Sequence, residues 1–132
     1  MQELVTRISE SLGIDAATVE KAIGIILKML KENLGEDKVD AIIGSIPGAE
    51  EFINKAPEAS GASGGGLMAA VGGMMGGGGG IMAAVGQLQN IGLDIPQSQS
   101  VAKELVEYTR EKAGADVVDD ALKDIPGIDM VL

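Results

Sequence analysis

The sequence predicts an all-α protein in which two tandem-duplicated helical units, of three to four helices each, form a helical bundle and are joined by a Gly-rich segment. Apolar residues recur at helical spacing through most of the chain. Sliding the sequence along itself aligns Gly13-Ile14-Asp15 with Gly92-Leu93-Asp94 and Ile46-Pro47-Gly48 with Ile125-Pro126-Gly127, both at an offset of 79 and without a gap. The same offset pairs Glu32 with Glu111, Gly35 with Gly114, Asp37 with Asp116, Val39 with Val118 and Asp40 with Asp119. So many punctuating residues in one register point to a repeat, divided here into unit one (1–57), a connector (58–80) and unit two (81–132).

In unit one, Leu4, Val5, Ile8 and Leu12 lie on one helical face and Gly13 follows as a stop, which predicts a helix over Gln2 to Leu12. Asp15 opens the next helix. There Val19, Ala22, Ile23, Ile26, Leu27, Leu30 and Leu34 form a continuous apolar stripe, ended by Gly35. Ile25 and Met29 widen that stripe beyond what one neighbour covers, so this helix is expected either to be sandwiched between others or to lie at an interface. Val39, Ile42, Ile43 and Ile46 mark a short third helix closed by Pro47. A fourth runs through Ala49, Phe52 and Ile53 to Pro57, with Pro47 at its first turn as an alternative start.

Unit two repeats this grammar with helices around Ile81 to Leu88, Ile95 to Ala113 and Asp116 to Asp124, and an abbreviated fourth from Ile128 to Leu132. It is shorter and more polar than unit one. In the connector the glycines cluster at Gly64 to Gly66, Gly72, Gly73 and Gly76 to Gly80, and there is no charged residue from Ala59 to Ile91. Within this stretch Gly66-Leu67-Met68-Ala69-Ala70-Val71-Gly72 recurs as Gly80-Ile81-Met82-Ala83-Ala84-Val85-Gly86. That repetition predicts two short Ala/Met helices divided by a glycine hinge.

Composition removes whole classes of function. With 132 residues the chain is the size of one ordinary domain. A formal charge of −10 repels phosphate backbones, and the two aromatics, Phe52 and Tyr108, cannot build a platform for stacked bases, so no nucleic-acid partner is expected. The absence of cysteine and histidine removes disulfides, thiolate nucleophiles, the usual zinc sites and the commonest general base. No catalytic residue, metal ligand or cofactor site is predicted, and the protein is expected not to be an enzyme. An enzymatic alternative would have to use carboxylates such as Glu20, Asp37 or Asp40 as base. The amphipathic start, Met1 to Leu12, lacks the basic and apolar runs of a signal peptide, which makes the cytoplasm the expected compartment.

The acidic residues have a structural explanation. Asp15, Asp94, Asp37 and Asp116 each stand where a helix opens, and an aspartate there accepts hydrogen bonds from unpaired backbone amides and favours the positive end of the helix dipole. Gln97 follows Asp94 by three residues, as a capping box requires. The glycine run has neither the Gly-Lys-Ser/Thr of a phosphate loop nor a strand before it. The uncharged stretch Leu67 to Leu88 is long enough to span a bilayer, but it is glycine-rich and lacks Lys, Arg, Trp and Tyr at its ends. Contact with a membrane surface or a protein through Leu67, Met68, Met74, Met75, Ile81 and Met82 is the more tractable expectation, because methionine adapts to irregular apolar surfaces. With Ile25 and Met29 these residues form the candidate interaction patch; the alternative is that the Leu67 to Met82 cluster covers the joint core of the two units.

From the Gly-Ile-Asp start through the long Ala/Ile-rich helix, Ile46-Pro47-Gly48, the glycine-rich centre and Gly92-Leu93-Asp94, the chain resembles the uncharacterised VcgC/VcgE family of small bacterial proteins. The resemblance implies a bacterial, non-enzymatic protein of unknown function and supplies no functional residues. The residues themselves predict an interaction or self-assembly module that homo-oligomerises. The second expectation is a carrier of a small apolar ligand or lipid between aliphatic helices.

Overall fold

A computed structural model describes residues 1–56, 79–125 and 128–130. Every regular element among them is helical. Unit one contributes α1 (Gln2–Leu12), α2 (Ala16–Asn33), α3 (Glu36–Ile43) and α4 (Ala49–Lys55); unit two contributes α5 (Gly79–Asn90), α6 (Ile95–Ala113), α7 (Ala115–Lys123) and a 3-10 turn, Ile128–Met130. The predicted bounds of α1 and α6 coincide with those observed. α1 ends because Gly13 takes the left-handed conformation, φ 66°, which lets the Ile14 amide bond back to the Ser9 carbonyl at 3.2 Å.

Other bounds differ from the prediction for local reasons. α2 stops at Asn33 and Leu34 is extended, so Gly35 caps the start of α3 instead of ending α2. Pro47 lies in the turn before α4, where Gly48, at φ 82°, sets the chain into the helix. α5 is longer than the expected 81–88, and the expected helix over 128–132 is seen only as the 3-10 turn. The connector 58–80 lies outside the described residues except for Gly79 and Gly80 at the start of α5.

The buried side chains form one core to which both units contribute. α2 is its axis, packed by α1, α3, α4, α5 and α6. It is buried almost all round, as a helix with apolar residues on every side must be. Ile25 and Met29 are accordingly buried, at 2% and 6% exposure. Of the two expectations for the wide stripe, the structure realises the sandwich, and neither residue is available to a partner in this fold. Gly24 permits the closest of these approaches. A Cβ at that position would lie 2.9 Å from the carbonyl carbon of Phe52 in α4 and 3.0 Å from the Cβ of Ala56, the residue that caps α4.

Helix starts recur at the offset seen in the sequence: Ala16 and Ile95 for the long helices, Glu36 and Ala115 for the short ones, Ala49 and Ile128 for the last elements. Burial recurs too. Val19, Ala22, Ile23, Ile26, Leu27, Met29 and Leu30 of α2 correspond to Ser98, Val101, Ala102, Leu105, Val106, Tyr108 and Thr109 of α6, all buried. Gly24 and Ile25 are the α2 positions whose counterparts, Lys103 and Glu104, are not.

Candidate functional site

Where unit two closes on unit one, the helices leave a small apolar cavity of about 30 Å³. Ile26, Met29 and Leu30 line it from α2, Ile42 from α3, and Ala84, Val85 and Leu88 from α5. Ala102, Leu105, Val106 and Thr109 of α6, Val118 and Leu122 of α7 and Ile128 complete the wall. The hydroxyl of Thr109 is already used, donating to the Leu105 carbonyl at 2.7 Å. With no free polar group to hold water, a cavity of this kind stays dry, and its size admits a small apolar group rather than a chain. Sequence reasoning missed this feature, since the lining residues read simply as core and the gap exists only once five helices and the last turn are placed together.

The charged side chains form exposed pairs that brace one element against another. Lys38 of α3 sits between Asp124, the C-terminal cap of α7, and Asp120 within α7, bonded to the first and 3.1 Å from the second. These two carboxylates, Asp124 foremost, raise the Lys38 ammonium above its ordinary value. Arg110 pairs with Asp119, Lys55 with Glu20 at 3.4 Å, and Arg7 with Glu104 at 3.9 Å. Lys55 also lies over the Phe52 ring, and Lys112 over the Tyr108 ring, each 5.4 Å from the centroid. Among the described residues no group of three or more carboxylates is placed to hold a metal ion. A second, more open depression of about 460 Å³ between α2, α3 and α4 carries Lys31, Asp40, Glu50 and Glu51 among apolar neighbours.

The expected caps divide. Asp94 caps α6 through its side chain: Oδ1 accepts from the Gln97 amide at 2.9 Å, and the Gln97 Oε1 accepts from the Asp94 amide at 3.2 Å. Asp15 holds the cap position of α2 but makes no side-chain cap bond. Asp37 and Asp116 do not cap. Gly35 and Gly114 occupy the cap positions, and the two aspartates fall one residue into the first turn, where they can favour the dipole only. Of the proposed catalytic carboxylates, Glu20 is engaged by Lys55, and Asp37 and Asp40 are exposed on α3.

Of the candidate interaction patch, Leu67, Met68, Met74 and Met75 lie outside the described residues, and Ile81 and Met82 belong to α5 with their side chains not described. Elsewhere on the described surface the exposed large apolar side chains are Ile95 and Val117. No helix among the described residues is long and apolar enough to cross a membrane. A family model described as "Protein of unknown function VcgC/VcgE (DUF2780)" matches residues 1–126. No curated protein and no solved structure matches the chain.

Proposed function

The chain belongs to the VcgC/VcgE family of proteins of unknown function, and we propose that it is a non-enzymatic protein-interaction or self-assembly module of the cytoplasm. The observation that carries this reading is the use made of the side chains. Apolar residues are spent on helix-to-helix recognition around α2, and ion pairs join element to element at exposed positions. On the described surface the exposed large apolar side chains are Ile95 and Val117. The proposal therefore assigns self-association to the uncharged stretch containing Leu67, Met68, Met74, Met75, Ile81 and Met82.

Size-exclusion chromatography with light scattering tests it, on the full chain and on a variant with Leu67, Met68, Met74 and Met75 changed to serine, each at several concentrations. Mass that rises with concentration for the full chain, and falls to the monomer for the variant, is the expected result. Two monomers at every concentration defeat the proposal.

A second reading, a carrier of a small apolar ligand, rests on the apolar lining of the cavity between α2, α5 and α6, which at about 30 Å³ would have to widen to admit one. Native mass spectrometry of protein purified from cells would then carry a reproducible added mass, and repeated clean spectra of the bare chain count against it.

A further inference from the structure

The packing between the two units is reciprocal. α1 packs on α2 and also on α6; its counterpart α5 packs on α6 and also on α2. α2 meets α6, and α3 meets α7, each long or short helix against its own equivalent. Contacts that come in such mirrored pairs are those of an isologous, two-fold interface, in which one surface serves both partners. The burial pattern agrees, since Ile23, Ile26 and Leu30 are matched by buried Ala102, Leu105 and Thr109 at the same offset.

The correspondence ends where α4 seats on α2. Gly24 admits the Phe52 backbone there, while α6 has the exposed Lys103 at the equivalent position and only a 3-10 turn where α4 would be. The α4 departure lies away from the shared face; a second, α3 packed also on α6 without a matching packing of α7 on α2, lies at it. The shared face itself cannot be left bare. Without unit two, α2 would present to water the part of its surface that α5 and α6 cover, and α1 would lose α6.

We infer that the chain is a covalently tethered pair of one helical unit, held together by a self-complementary face, and that the partner this face fits in trans is the opposite unit of a second copy of the chain. Two chains that exchange units make the same contacts as one chain closed on itself. The closed form wins in dilute solution because the tether holds the second unit at a fixed effective concentration, which a second chain must exceed to compete. This inference stands on the intrachain packing and is independent of association through the connector.

The test begins with the intact, folded protein carrying a protease site in place of residues 60–64, cleaved after folding. Chromatography with light scattering and circular dichroism should find the two pieces together at one to one with helicity retained. Cleaved protein is then mixed with a cleaved, ¹⁵N-labelled sample, taken through urea and diluted. Native mass spectrometry should show hybrids of light unit one with heavy unit two in statistical proportion. Ile26→Asp or Leu105→Asp should abolish the hybrids, and Lys103→Ala, outside the face, should leave them. Pieces that separate while each keeps its helicity, or pieces that never reassemble after urea, overturn the inference. Neither outcome depends on whether the uncut chain associates.

Discussion

A methyl group on Gly24 would meet the Phe52 carbonyl carbon at 2.9 Å and the Ala56 Cβ at 3.0 Å, and the Phe52 backbone cannot swing aside as a long side chain would. Gly24→Ala should therefore push α4 away from α2. The strain of such overpacking, typically about 1–3 kcal/mol, outweighs the roughly 1 kcal/mol that alanine gains over glycine inside a helix. Gly86 in α5 has nothing within 4 Å of its would-be Cβ, so Gly86→Ala keeps the propensity gain and stabilises by about 0.5–1 kcal/mol. Urea midpoints of the two variants should move in opposite directions. The clash at Gly24 had one signal in the sequence, a glycine within an otherwise apolar helical run. Lys38 had none, because its partners Asp120 and Asp124 are brought to it only by the meeting of α3 and α7. Its charged form is favoured in the folded state, so its contribution is fully present at neutral pH and is lost as pH rises through the elevated folded value. The stability difference between wild type and Lys38→Met should be constant through the neutral range, vanish in strongly alkaline solution, and shrink in high salt. A difference that survives unchanged in strong alkali would point to a different role.

Helix ends show which local signals carry through and which do not. α1 and α6 were legible to the residue because their ends carry self-sufficient chemistry: Gly13 free to turn left-handed, and the Asp94-Ile95-Pro96-Gln97 box with proline in the first turn. The end of α2 was misplaced because a glycine between two helices reads equally well as a stop or a start. Leu34 turns extended first, and Gly35 is then spent as the cap of α3, which moves Asp37 inward. The four aspartates should therefore rank by what they bond. Asp94→Ala removes both halves of a capping box and should cost about 0.5–2 kcal/mol. Asp15→Ala, Asp37→Asn and Asp116→Asn lose the dipole interaction, each about 0.3–1 kcal/mol and reduced by salt. Denaturation at low and high ionic strength separates the two classes, since the Asp94 deficit should persist in salt while the other three fade. An equal deficit at all four sites would mean that position in the first turn matters more than the bond.

At the scale of the molecule, the sequence's periodicities were enough to predict helices and their order, because each depends on residues near in sequence. What covers α2 depends on residues far apart, and the excess width from Ile25 and Met29 reads the same whether the cover comes from α4 and α5 or from another chain. The cavity was illegible for that reason too. One shared core has a thermodynamic consequence: damage in one unit must be felt in the other. Ile26 of α2 lines the cavity from unit one, and truncating a buried isoleucine to alanine costs about 2–5 kcal/mol, more where the site cannot collapse. Tyr108, buried on α6 with its hydroxyl accepting from the Met1 ammonium of unit one at 3.3 Å, is the single tyrosine in a chain without tryptophan, so its fluorescence reports the joint between the units while far-ultraviolet circular dichroism reports the helices of both. If the core is one cooperative body, the two signals trace a single urea transition, and Ile26→Ala shifts both midpoints by the same amount. A circular dichroism curve in two steps, with the Tyr108 transition left where it was, would mean that the units hold separate cores. The tethered-pair reading would then fall with it, because a face that two halves must share cannot be lost from one and kept by the other.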